Sequence, residues 1–168
     1  MNTGQVMISI AAFAFLGTVL VNFNNLILAN NEDMSNSHDV IIATSIAATY
    51  IDAAQGLNFD ENTVGQPVST PSQLTDPNAL GPDPGEIDIS QFNDFDDFNG
   101  YSVTQAAEGN NGTFRCDFVV TYVDPENINR PTVQTFLKRL DIKTWRVDIP
   151  VTTDTVRMFT TMAYFNFN

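Results

Sequence analysis

From Ile8 to Asn31 the chain reads ISIAAFAFLGTVLVNFNNLILANN, a run with no charged side chain. Read as a helix it is apolar on every side, so no single face can be turned to water as a surface helix requires. Such a segment has to be buried in something larger than itself. Three hosts are conceivable. A cleaved secretory signal calls for a positive leading region and a small-residue cleavage site, and MNTGQ contains no Lys or Arg. A transmembrane helix fits better, because Val6 to Ala29 reaches the roughly 20 apolar residues that a bilayer demands, although no flanking charge sets its orientation. The third host is a bundle of copies of the same segment. Gly4, Ser9, Ala11, Ala12, Ala14 and Gly17 would let backbones approach closely, while Phe13, Phe15, Leu16, Leu20 and Phe23 would serve as the interlocking side chains.

Further along, DVIIATSIAATYIDAAQGL places Ile42, Ile46, Tyr50 and Ala53 or Ala54 near one face, with Thr44, Thr49, Asp52 and Gln55 elsewhere. This half is amphipathic. The polar stretch NEDMSNSHD between the halves could interrupt the helix or form an exposed turn of it. The reading preferred is one helix from Thr3 to Gln55, ended by Gly56 in a C′-like position. At ~1.5 Å per residue it would reach roughly 80 Å, so its first half is expected to project beyond its own domain.

Asn58 to Asn99 reads as loop, with Pro67, Pro71, Pro77, Pro82 and Pro84 and several glycines. So long a stretch without regular structure is expected to be pinned by other parts of the chain or to carry a function. From Tyr101 the period becomes two. Phe114, Cys116, Phe118, Val120 and Tyr122 alternate with Arg115, Asp117 and Thr121; Trp145, Val147, Ile149 and Val151 alternate with Arg146, Asp148 and Pro150. EGNNGT and VDPENINRP are turn material, and TVRMFTTMAYFNFN reads as a last strand running to the chain end. The expected fold is α+β: a long N-terminal helix whose amphipathic half packs on an antiparallel sheet of about four strands. The expected division is an apolar projecting helix over 1–31 and a globular domain over 32–168. Within the latter, an amphipathic helix spans 32–56, an acidic loop rich in Pro and Gly 57–100, and the sheet 101–168.

Charge excludes one class of function. Twenty acidic residues face seven basic ones, and no Lys or Arg precedes Arg115. A nucleic-acid partner would need a basic stripe to meet phosphates, so none is expected.

An apolar N-terminal helix that continues into the backing of a C-terminal antiparallel sheet resembles the type IV pilin and pseudopilin family. Two stretches carry the likeness. MNTGQVMISIAAFAFLGTVLV is similar to a mature pilin N-terminus, and LGPDPGEIDISQFNDFDDFNGY is similar to an acidic DDxDDFNGY-type stretch of some pilin-like proteins. The resemblance implies a subunit held in the inner membrane by its helix and then polymerised by pilus assembly machinery into a helical homopolymer at the cell surface. It also implies a role for the fifth residue, which in the family is usually a glutamate paired with a neighbour's N-terminal amine. Here it is Gln5, and Met1 stands where Phe is usual. A neutral carboxamide makes a weaker bond to an ammonium than a carboxylate does. Residue 1 follows the family's pattern only if a leader has been removed from this numbering.

The remaining groups have plain readings. His38 sits in a polar segment and is expected to be solvated; Cys116 is expected to be a small core residue of a strand. Asn111-Gly112-Thr113 matches a glycosylation sequon but fits a hairpin turn better. Phe159, Tyr164, Phe165 and Phe167 are expected to pack within a strand. No catalytic triad, phosphate loop or His-based metal motif occurs, and the chain reads as a non-enzyme. The acidic tract is the one candidate ion site. Asp94, Asp96, Asp97 and Glu86 offer the hard oxygens that calcium prefers, yet the Gly and distal Glu of an EF-hand are missing. Calcium binding and a solvated acidic loop both remain open. The functional expectation is a structural filament subunit assembled through Gln5, Phe13, Phe15, Leu16, Gly17, Leu20 and Phe23. The alternative is a membrane-anchored monomer that binds a ligand or calcium, or a minor pseudopilin of a secretion system.

Overall fold

The computed structural model describes residues 2–149 and 154–165. The chain divides into two compact units, Met1–His38 and Asp39–Asn168. A single helix, α1 (Thr3–Gln55), supplies all the regular structure of the first and the opening element of the second. It runs unbroken over Gly17 and over Asn22, Asn24 and Asn25, all poor helix formers. The hydroxyls of Ser9 and Thr18 donate to the carbonyls of Gln5 and Phe15, satisfying small polar groups within the helix itself.

In the first unit every residue from Asn2 to Asn31 is exposed, including Phe13 at 74% and Phe15 at 72%. In the second unit the helical periodicity does what the sequence predicts. Ala43, Ile46, Ala47, Tyr50 and Ala54 are buried, while Thr44, Thr49, Asp52 and Gln55 are on the other sides; Ala53, an equal candidate with Ala54, is exposed. The helix ends at Gln55, with Gly56 just past its end as expected. Gly56 N–H and Leu57 N–H bond to the carbonyls of Ala53 and Ala54, three residues back, which tightens the last turn. His38 is exposed.

Among the described residues the sheet is antiparallel and has five strands: β1 (Ser102–Ala106), β2 (Thr113–Asp124), β3 (Asn127–Pro131), β4 (Leu137–Arg146) and β5 (Val156–Ala163). Their order is β1-β2-β4-β5, and β3 pairs with the far end of β2 across a register shift between Val123 and Asp124. The fifth strand beyond the four expected is β3. It lies inside VDPENINRP, which turn-forming residues make look like loop and which a hairpin with β2 makes extended.

On β2 the inward set Phe114, Cys116, Phe118, Val120 and Tyr122 is buried as expected, with Cys116 Sγ 3.3 Å from Thr144 Oγ1. On β4 the expectation fails. Its inward residues are Lys138, Leu140, Ile142 and Thr144, so Trp145 belongs to the outer face; the strand stops at Arg146, leaving Val147 exposed and Ile149 beyond it. Val151 lies outside the described residues. A lysine at the first inward position broke the apolar alternation that would have marked this strand. Likewise β5 ends at Ala163 and not at the chain end. Its Phe159 lies under the Arg139 guanidinium on the outer face, while Tyr164 packs against Phe59 and Phe136; Phe165 is exposed, and Phe167 is outside the described residues.

The long connection between α1 and β1 is irregular apart from three short 3-10 turns, Glu61–Thr63, Pro71–Gln73 and Asp96–Phe98. It is pinned from within. Phe92, Phe95 and Phe98 join the core formed by α1 and the sheet, while Phe59, Val68, Leu74 and Leu80 surround Tyr122 in a second cluster. Removing these rings from water supplies what backbone regularity does not, at about 1.5–3 kcal/mol for each large apolar side chain fully buried.

Candidate functional site

Lys138 stands on β4 directly opposite Tyr122 of β2, and its side chain is wholly buried. A buried ammonium is tolerated only when its three protons find acceptors and its charge finds a partner. All three protons are accommodated. Nζ donates to the Phe59 carbonyl at 2.9 Å, to Asp60 Oδ2 at 2.7 Å and to Asp96 Oδ1. The rings of Phe59 and Tyr122 flank it, their centroids 4.7 and 5.1 Å from Nζ, so the cation also meets the negative faces of two aromatics.

The two carboxylates come from opposite ends of the irregular segment. Asp60 caps the 3-10 turn that follows α1, accepting from Asn62 N–H; Thr75 N–H and Oγ–H donate to the same carboxylate from the next bend. The Tyr122 hydroxyl lies 2.9 Å from Asp60 Oδ2. Burial pushes the Asp60 pKa upward, but the Lys138 charge and this set of donors outweigh it and hold the group below the ordinary carboxyl range.

Asp96 opens the third 3-10 turn, among a set of carboxyl groups folded onto their own backbone. Asp94 Oδ1 accepts from Asp96 N–H and Asp97 N–H; Asp97 Oδ2 accepts from Asn93 N–H and Asp94 N–H. Burial, together with the neighbouring charges of Asp96 and Asp97, raises Asp94 to about 9, and burial likewise raises Asp96. Asp94 therefore holds its proton at neutral pH, in a hydrogen bond with the Asp96 carboxyl. Like charges so close cannot all ionise in a dry site.

The acidic tract is thus not a solvated loop: Asp94, Asp96 and Asp97 are 1–3% exposed. Glu86 lies at its rim, accepting from Asn93 Nδ2, while the buried Asn93 Oδ1 has no hydrogen-bond partner. Among the described residues no group of three or more His, Cys, Asp or Glu is disposed to hold a metal ion. Of the oxygens that composition offers to calcium, Asp94 Oδ1 and Asp97 Oδ2 accept from backbone amides and Asp96 Oδ1 accepts from Lys138. Neither Lys138 nor Asp60 stands out in the sequence as a site residue. The signal that could have found them is the pattern KRLDIKT itself, in which a strand only keeps Leu140 and Ile142 inward if Lys138 goes in with them.

The assembly residues named above lie together on one exposed helix. Phe13, Phe15, Leu16, Leu20 and Phe23 are each more than half exposed, and a Cβ added at Gly17 would meet nothing within 4 Å. Gln5 belongs to the first turn, its N–H bonded to the Asn2 carbonyl. In the second unit a groove of about 650 Å³ is lined by Ile41, Ile46 and Tyr50 on α1, by Ala106 at the end of β1 and by Ala107 just after it. On the sheet's outer face Arg115 pairs with Asp117 and Arg139 with Asp141, while Arg146, in line with the inward residues of β4, pairs with Asp39 of α1 and with Asp148. Asn111 sits in the β1–β2 hairpin, its amide donating to the Glu108 carbonyl, in keeping with a turn. Comparison with protein-family models, with curated proteins and with solved structures finds no significant match.

Proposed function

We propose that the chain is the structural subunit of a pilus-like surface filament, held in a membrane by its apolar helix before assembly and polymerised through that helix afterwards. The observation that carries this reading is the helix of the first unit, whose most apolar 18-residue window is 0% buried against the chain's own residues. Exposed apolar area on that scale calls for a partner outside the chain. Bilayer and like helices satisfy it in turn, since small residues at Gly4, Ala11, Ala14 and Gly17 allow the close approach on which packing in lipid depends. No catalytic role is assigned to it. Host cells expressing the tagged full chain together with assembly machinery should shed thin filaments that carry the tag, seen by electron microscopy. Tagged chain found only in membrane fractions, at full expression, would overturn the proposal.

The second reading is a membrane-anchored monomer whose acidic loop binds calcium through Glu86, Asp94, Asp96 and Asp97. What favours it is the unpartnered Asn93 Oδ1 beside Glu86, an oxygen with a vacant acceptor site next to carboxyl groups. On this reading calcium raises the melting temperature of the domain and a chelator reverses the rise. An unchanged melting temperature removes it.

A further inference from the structure

We propose that Lys138 and Asp96 become joined by an intramolecular amide bond that the folded chain forms on itself, with Asp60 and Asp94 handling the protons. This inference stands on the buried site alone and goes beyond the filament reading, which it neither needs nor tests.

Three features of the site carry it. The amine and the acid are in direct contact, Lys138 Nζ on Asp96 Oδ1, with side chains 0% and 4% exposed. In water such a condensation is opposed by the hydration of both charged reactants and by the abundance of water as product. Here neither reactant is hydrated, and the rings of Phe59 and Tyr122 shield the amine. Groups held in contact in this way can react as though at effective molarities of roughly 10⁵–10⁸ M. The second feature is a base already bonded to the nucleophile: Asp60 Oδ2 accepts from the same Nζ at 2.7 Å. The Lys138 charge holds it anionic, and its other donors, Thr75 N–H, Thr75 Oγ–H and Asn62 N–H, keep it fixed. The third is an acid hydrogen-bonded to the electrophile. Asp94 shares a hydrogen bond with the Asp96 carboxyl and, being raised by burial to about 9, has the proton to give. Three carboxyl groups, two more than a buried ion pair with one ammonium requires, thus occupy the positions of base, electrophile and acid.

The step balances without any oxidant, reductant or added reagent. Asp60 takes one proton from the ammonium, and the freed lone pair on Nζ attacks Asp96 Cγ, forming the C–N bond while the carbonyl electron pair moves onto oxygen. The Cγ–O bond then breaks, and the departing oxygen takes the Asp94 proton. Of the two remaining protons, the one on Asp60 completes a water molecule and the surplus one on nitrogen restores Asp94. One ammonium and one carboxylate have become one amide and one water. The new bond would tie the irregular segment to the central strand β4, spanning the whole of β1, β2 and β3 in sequence.

The test is the intact mass of the purified, denatured full chain. The expected result is a mass lower than the sequence mass by one water, with protease digestion yielding a branched peptide that joins the Lys138 and Asp96 segments. That peptide separates the amide from a cyclised aspartate elsewhere, which loses the same mass without a branch. Lys138→Arg, which keeps the charge, should show the full mass. Asp60→Asn, folded by circular dichroism, should show full mass or a markedly slowed loss of water. A folded parent chain at full mass, or one lighter by a water but with no branched peptide, overturns the proposal whatever the variants do. A folded Asp60→Asn that dehydrates as fast as the parent overturns the role given to Asp60.

Discussion

Lys138 Nζ lies 2.7 Å from Asp60 Oδ2, and neither side chain has any exposure to water. The two residues are on different elements, one the first inward position of β4 and the other the cap of the turn that follows α1. Their contact fixes the start of the long irregular segment to the centre of the sheet, and Asp96 fixes its end to the same atom. Irregular backbone between Gly56 and Tyr101 is therefore held at both ends by one ammonium.

Removing that ammonium leaves buried carboxylates without a counter-charge. Lys138→Met should destabilise the domain by about 3–5 kcal/mol, the usual cost of breaking a buried pair from one side. Neutralising the partners as well, in Lys138→Met with Asp60→Asn and Asp96→Asn, should recover part of that loss. Denaturant titration of the single and triple variants measures both, and equal or additive losses would show that the groups do not act together.

Stability should fall as pH rises through the neutral range. Asp94 has a folded pKa raised to about 9, mainly by burial, so its contribution is fully present below the ordinary carboxyl value and is lost as pH climbs towards 9. Asp60 has the opposite sign: its folded pKa is depressed, so its contribution is present above the ordinary value and is lost only as pH falls through the lowered one. The melting temperature should consequently be higher at about pH 5 than at about pH 8, and Asp94→Asn should flatten that difference. A parent that is more stable at the higher pH would contradict the assignment.

Gly112 has φ near +100°, and a Cβ there would stand 2.5 Å from Arg146 Nε. That guanidinium cannot easily retreat, because it bridges Asp39 on α1 and Asp148 after β4. Gly112→Ala combines a strained backbone with displacement of this bridge and should cost about 1–3 kcal/mol. Gly65→Ala is the control: its φ is +76° but nothing stands within 4 Å, so only the backbone strain remains. Thermal unfolding of the two should rank Gly112→Ala as the more damaging.

Deleting residues 1–28 should yield a soluble monomer with its sheet intact. The core residues of α1 begin at Ala43, inside the compact unit Asp39–Asn168, whereas the deleted residues bury nothing. Sedimentation velocity gives the oligomeric state and circular dichroism the sheet. A truncated chain that aggregates or unfolds would mean that the helix start contributes to the domain itself.

The sequence by itself determined those parts of the protein in which one periodicity runs long enough to stand out. Thr3–Gln55 is legible because its apolar residues either surround a helix completely or return every three to four positions, and both patterns depend only on local geometry. The inward face of β2 is legible because five apolar residues recur at every second position, from Phe114 to Tyr122, with Arg115, Asp117 and Thr121 among those between them. The tertiary structure decided the rest. In β4 the inward row opens with Lys138, a residue that local pattern assigns to solvent; it can go inward only because Asp60 and Asp96, 78 and 42 residues away, meet it there. The burial of Asp94, Asp96 and Asp97 is illegible for the same reason, since composition shows the charges but not Lys138 and the backbone amides that receive them. Burial of a charge is set by its partners, and partners distant in sequence leave no mark in any local window.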